Sequence, residues 1–186
     1  MSDDLRYPIG QFYFPETVSK EELERDIEQI ARTPNELRKA IRGLTNDQLD
    51  TAYRPGGWTV RQVVHHLPDS HINSYVRFKL AVTEDEPVIK AYDESRWAEL
   101  EDARRAPIEA SLTLLDSLHE RWVLFLESLD ETLLSRKFRH PEVGIIRVDQ
   151  NVALYAWHGR HHVAHITALR EREGWPDSAK ASSGPP

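Results

Sequence analysis

Residues 157–166, WHGRHHVAHI, contain His158, His161, His162 and His165, four of the nine histidines in the chain. A neutral imidazole is a nitrogen donor for a divalent ion, and a helix stacks residues four apart on one face. His158 with His162, and His161 with His165, both have that spacing. Leu154, Tyr155, Ile166 and Leu169 place the apolar stripe close to the His158/His162 line and leave His161 toward its edge. The inward pair is therefore His158 and His162. Zinc and similar ions take at least three protein ligands, so a third donor must come from another element. The segment VRQVVHHLPDSH supplies His65, His66 and His71, and its stripe through Val60, Val63, Leu67 and Phe78 sets His66 nearer the interior and His65 roughly opposite. His66, His158 and His162 form the candidate metal set. The chain has no cysteine, which excludes disulfides and thiolate ligands and leaves nitrogen and oxygen donors.

Other polar residues carry weaker signals. Asp69, Ser70 and Asn73 follow His66 by one or two turns and are candidates for lining a pocket, and Arg77 is a candidate partner for a substrate carboxylate. Helix caps and surface ion pairs explain such residues at least as often. His165 is a candidate donor behind the metal set or simply core polarity. His119 and His140 stand alone in the sequence and are read as ordinary hydrogen-bonded or surface histidines, and Trp58 and Tyr155 as packing residues. A di-iron bundle needs paired Glu-x-x-His motifs on facing helices, and SLHERW has His119 before Glu120 with no matching second motif.

These residues must be positioned by helices. Ser19 opens an S-x-x-E capping box, and the helix that follows meets Pro34, so the pattern to Leu44 is either one kinked helix or two in series, the second capped by Thr33. Thr45 is another cap. After the Pro55-Gly56-Gly57 turn, Thr59 with Gln62 begins a second long helix to Leu80 or Val82, with Pro68 bending it locally. Residues 93–105 look helical and highly charged, and 107–129 give a third bundle helix through Leu112, Leu115, Leu118, Trp122, Phe125 and Leu129. Pro141, Gly144, Ile145, Ile146 and Val148 suggest a small hairpin or irregular excursion. Asp149 is expected to cap the last helix, which runs to about Arg172 and closes at Gly174. The aromatic, proline-containing opening RYPIGQFYFPETVS should lie as an extended arm on the domain, and 176–186 should be a disordered tail.

The chain's 186 residues fit one domain, here 1–175, and the balance of 39% hydrophobic and 30% charged residues suits a soluble globular protein. Its net charge of −7 argues against nucleic acid as a partner. No apolar run is long enough to span a membrane and no leader pattern opens the chain, so a cytoplasmic location is expected. The fold class is all-α, a helical bundle whose ligand sites lie between facing helices.

GGWTVRQVVHHLPDSHINSYVRFKL together with YAWHGRHHVAHI resembles the DinB/YfiT-like superfamily, and closely its bacillithiol S-transferase branch, from YPIG through REGW. The resemblance implies an up-down-down-up four-helix bundle, often a homodimer. It also implies a divalent metal held by one histidine of the second helix and an i,i+4 pair of the last, which fall on His66, His158 and His162. Zinc is the default ion, with nickel also accepted by imidazole. Three neutral imidazoles leave the charge of the ion undiminished, suiting it to ionise water or a thiol. With no cysteine in the chain, the sulfur of a thiol transfer would come from a small cosubstrate. The leading expectation is S-transfer of a bacillithiol-like thiol to an electrophilic small molecule. The alternatives are hydrolysis by metal-activated water and a non-catalytic metal-binding, stress-responsive bundle.

Overall fold

The structure, a computed structural model, describes residues 5–175. The expected tail at 176–186 lies outside them. Four long helices make the bundle: α1 (Lys20–Ile41), α3 (Val60–Thr83), α6 (Ile108–Glu127) and α8 (Val148–Arg172). Short helices fill the connections: α2 (Asn46–Leu49), α4 (Glu94–Trp97), α5 (Glu101–Arg105) and α7 (Glu131–Leu134). Capping boxes start α1 at Ser19, α2 at Thr45 and α3 at Thr59, each pairing a hydroxyl with the amide three residues on. The strands β1 (Lys137–His140) and β2 (Gly144–Arg147) form an antiparallel hairpin that turns Phe138 and Ile146 into the core.

Side-chain contacts fix the helix directions. Arg38 near the end of α1 pairs with Glu109 and Asp116 early in α6, so these helices are antiparallel. Arg170 near the end of α8 donates to the carbonyls of Ala40 and Arg42 at the end of α1, so α1 and α8 run parallel. His65 meets Ser111 and Phe78 meets Trp122, making α3 and α6 parallel, while Asn151 early in α8 meets Ser74 late in α3. The result is up-down-down-up. Parallel neighbours need a long crossover, which accounts for the segment between α3 and α6.

One open alternative is decided and two details are refined relative to the sequence reading. Of the two alternatives at Pro34, the structure has the single helix, with α1 passing through the proline undivided. Asp149 does not cap α8: Arg147 holds the N-cap position, and the Asp149 carboxylate lies in the first turn, bonded to the Arg147 guanidinium. Residues 93–105 form two short helices rather than one continuous element. The opening arm does lie on the body, with the Pro15 and Glu16 carbonyls accepting from Gln150 and Arg147.

The core has two apolar clusters. One gathers Ile27, Ile30, Phe78, Trp122, Val152 and Ala156, and the other Leu37, Val63, Leu67, Leu115, Ile166 and Leu169. Between them, at mid-height, α1 and α8 come close because Gly159 has no side chain: a Cβ there would stand 2.5 Å from Thr33 Oγ1. Thr33 is fully buried and its hydroxyl donates to the Gln29 carbonyl, so it has little freedom to retreat. Gly159→Ala should therefore cost about 1–3 kcal/mol, the usual penalty of overpacking, with most of it returned when Thr33→Ala is added. Denaturant melts of the two single variants and the pair check this; additive losses would refute the steric account.

Candidate metal centre

Three helix turns bring the site together. His66 lies in the second turn of α3, and His158 and His162 lie one turn apart near the middle of α8, which faces α3 antiparallel. One ring nitrogen from each of the three lies within 4.8 Å of those of the other two. His66 Nε2 and His158 Nε2 are 3.4 Å apart, and the three rings fan out at interplanar angles of 53°, 62° and 71°. The antiparallel packing makes this convergence, since one turn of α8 on either side of the His66 level supplies one ring each.

The RPGGW turn builds the wall beside it. Gly56 has φ +67°, a conformation that disfavours a side chain, and the turn that follows delivers Trp58 onto the site. The Trp58 ring lies 4.7 Å from that of His66 and nearly parallel to that of His162 at 6.3 Å. Trp58 thus packs, as expected, but packs against the site. A cavity of about 520 Å³ opens from the imidazoles, with Ser70, Arg77 and Tyr155 on its wall and Arg54, Glu94 and Glu142 among its charged residues.

Arg77 therefore lines the cavity, whereas Asp69 and Asn73 are not among its lining residues. The Asn73 carboxamide donates back to the Asp69 carbonyl within α3, and the Asp69 carboxyl feels Asp102 of α5, with burial first and that charge second raising it to about 6. Both side chains are taken up by neighbouring structure instead of facing substrate space. His165 makes no hydrogen bond to the triad; its Nε2 donates to the Arg6 carbonyl of the opening arm, and its ring stacks on Tyr53 at 4.0 Å. His161 stacks on Trp157 at 4.3 Å and lines the cavity. His65 points the other way, bonded to Ser111 Oγ at 2.7 Å and to the Ala106 carbonyl.

The sequence reading underrated two histidines. His71 Nε2 is 3.1 Å from His158 Nδ1, and His71 Nδ1 is 2.7 Å from His119 Nε2. His119, read as ordinary, is fully enclosed against the site. No local pattern marks it, because its partner lies on a different helix; its place on the inward face with Leu112, Leu115 and Trp122 was the available signal.

A sequence profile described as the DinB superfamily matches residues 29–166. The chain belongs to the DinB superfamily. A protein of Bacillus mycoides strain KBAB4, named "Putative metal-dependent hydrolase", is 57% identical over 92% of this chain and 99% of its own length. A Bacillus cereus strain B4264 protein of the same description is 56% identical over 93% and 99%. Among solved structures, YfiT from Bacillus subtilis, described as a probable metal-dependent hydrolase with an unusual four-helix bundle topology, superposes with a TM-score of 0.91 at 48% identity, covering 92% of this chain and 99% of that one.

The donor set of this DinB-superfamily chain suits a divalent ion. Two nitrogens about 2.05 Å from a tetrahedral ion stand about 3.3 Å apart, and His66 and His158 already approach to 3.4 Å. Burial, followed by neighbouring histidines, pushes His66 down to about 3 and His158 and His162 well below the usual range, so all three present neutral nitrogen at neutral pH. His162 also keeps a buried Nδ1 with no hydrogen-bond partner among the described residues.

Every one of the nine histidines is shifted down, with burial the largest cause in each. Below about pH 6.5 the unfolded chain takes up protons that the folded chain refuses, so stability falls with pH. Asp69, shifted up to about 6, and Asp26, also raised chiefly by burial, work in the opposite sense but are two groups against nine. The metal-free protein should lose at least ~5 °C in Tm between about pH 7.5 and pH 5.5. A flat Tm across that interval would contradict the burial of these rings as neutral groups.

Proposed function

We propose that the chain is a divalent-metal-dependent enzyme in which His66, His158 and His162 hold the ion, and that it transfers a low-molecular-weight thiol of the bacillithiol type to an electrophilic small molecule. Zinc is the proposed ion, with nickel an acceptable substitute. When bound, the ion supplies Lewis acidity that lowers the pKa of a coordinated thiol or water.

The observation that carries the thiol reading is that, among the described residues, no carboxylate stands beside the three imidazoles: the acidic residues among the cavity lining are Glu94 and Glu142, both exposed. Water activated for hydrolysis benefits from a positioned general base, whereas a thiol, with an ordinary pKa of about 8.5, needs far less help to ionise. The protein's own side chains then bind and orient. Trp58 and Tyr155 wall the reacting end against water, and Arg54 and Arg77 place positive charge where an anionic thiol cosubstrate would enter. The transfer forms a carbon–sulfur bond, breaks the carbon–leaving-group bond, and sends the thiol proton to solvent.

Hydrolysis by activated water is the second reading, favoured by the descriptions of the Bacillus relatives and of YfiT. The two readings separate in one experiment. Tag-free, zinc-loaded protein is incubated with a low-molecular-weight thiol and an alkylating electrophile, and in parallel with amide and ester substrates. We expect a thioether product by mass spectrometry, matched by thiol loss, and reduced at least ~100-fold in His158→Ala and His162→Ala. His65→Ala, which alters the imidazole facing away, should retain most of the rate. Amide or ester cleavage without thiol consumption would replace the proposal with the hydrolase, and stoichiometric metal without either turnover would favour a non-catalytic bundle.

A further inference from the structure

His158, His71 and His119 make a continuous chain of ring-to-ring contacts that ends on a backbone carbonyl. His158 Nδ1 meets His71 Nε2 at 3.1 Å, His71 Nδ1 meets His119 Nε2 at 2.7 Å, and His119 Nδ1 meets the Ile30 carbonyl of α1 at 2.7 Å. The chain links all four long helices at the level where the two apolar clusters part.

The carbonyl is available because of Pro34. In an α-helix the carbonyl of residue 30 accepts from the amide of residue 34, and proline has no N–H to give. Left without its usual donor inside the bundle, the Ile30 oxygen would be a costly orphan, and His119 supplies the missing proton donor. A proline that looks like a helix breaker in the sequence is thus the anchor of a polar chain.

A carbonyl oxygen can only accept, and this sets every proton that follows. His119 must carry hydrogen on Nδ1, so its Nε2 is a lone pair. His71 must then donate from Nδ1, leaving its own Nε2 as a lone pair. His158 in turn must donate from Nδ1, which leaves its Nε2 free of hydrogen and facing His66 Nε2. The reverse direction would set a lone pair of His119 against the carbonyl oxygen at 2.7 Å, and it would put a hydrogen on the very nitrogen that must bind the ion. A doubly protonated His119 would evade this logic, but burial pushes that group down to about 4.

The geometry points to His71 and His119 as positioning residues that lock His158 into the Nδ1–H tautomer, so that its Nε2 lone pair is aimed into the metal site before any ion arrives. The inference rests on the metal-site reading for its purpose, but the tautomers themselves exist without metal. Hydrogen-bond partners behind a ligating histidine fix its tautomer and ring orientation and raise its basicity; losing them costs roughly tenfold to a hundredfold in metal affinity. Here two histidines in series perform that task, and the terminal acceptor is main chain.

The test has two arms. Long-range nitrogen–proton NMR spectra of metal-free, 15N-histidine-labelled protein report the tautomer of each ring. We expect His119, His71 and His158 all in the Nδ1–H form; an Nε2–H form at any of the three overturns the inference, whether or not the protein proves to bind metal. The second arm measures zinc affinity by chelator competition in His119→Leu and His119→Gln. The leucine variant removes the acceptor for His71, whereas the glutamine Oε1 can still accept its proton. We expect roughly tenfold or greater weakening for leucine and a much smaller loss for glutamine. Equal affinities across wild type and both variants would overturn the positioning role, and equal losses in the two would reduce His119 to a packing residue.

Discussion

The cost of keeping neutral imidazoles in the middle of a helical core governs this structure. A buried ring nitrogen without a partner loses free energy on the order of a lost hydrogen bond, about 1–3 kcal/mol, and this chain places five histidines between two dry clusters. The bundle meets part of that cost through a chain of contacts that partners both nitrogens of His71 and His119 and ends on the Ile30 carbonyl, while His162 keeps an unpartnered Nδ1 among the described residues and the triad's nitrogens converge on one point. The helix directions serve the same end. Parallel α3 and α6 bring His71 level with His119, antiparallel α3 and α8 bring His66 level with both turns of the pair, and the close passage of α1 past Gly159 brings Ile30 within reach.

Much of the scaffold was legible because its signals are local. The capping boxes at Ser19, Thr45 and Thr59 each need a hydroxyl and a partner three residues away, and each is present where the helix starts. The inward set of His66, His158 and His162 followed from apolar stripes, and those three rings do meet. The role of Pro34 was not legible because its meaning is tertiary: the Ile30 carbonyl that its missing N–H leaves open is taken up by a side chain from α6, 89 residues from Ile30 in sequence. His119 was undervalued for the same reason. The start of α8 was misread because acidic residues suit both the cap and the first turn, and only the backbone decides which position Asp149 holds.

Substrate-facing residues were harder to choose than ligands. A ligand must converge with two others, which is a strong geometric filter, whereas a pocket residue need only point to empty space. Asn73 shares an approximate face with His66 but bends back to the Asp69 carbonyl, and Asp69 turns toward α5. Arg77, farther along α3, reaches the cavity because its longer side chain can. Trp58 could not be placed from periodicity at all, since the RPGGW turn and not a helix delivers it.

The cavity and the polar layer act together. Apolar packing on either side excludes water from the backs of the rings, the His119 chain holds one of them in a fixed protonation pattern, and their free nitrogens face an open space with aromatic and cationic walls. The central claim is that three imidazoles, one from α3 and two from α8, bind one ion. X-ray absorption of the zinc-loaded protein counts imidazole ligands directly through their multiple scattering. Three imidazoles with nitrogens at about 2.0–2.1 Å are predicted for the wild type, falling to two in His66→Ala; two or fewer in the wild type, or a count that His66→Ala does not change, would contradict the account.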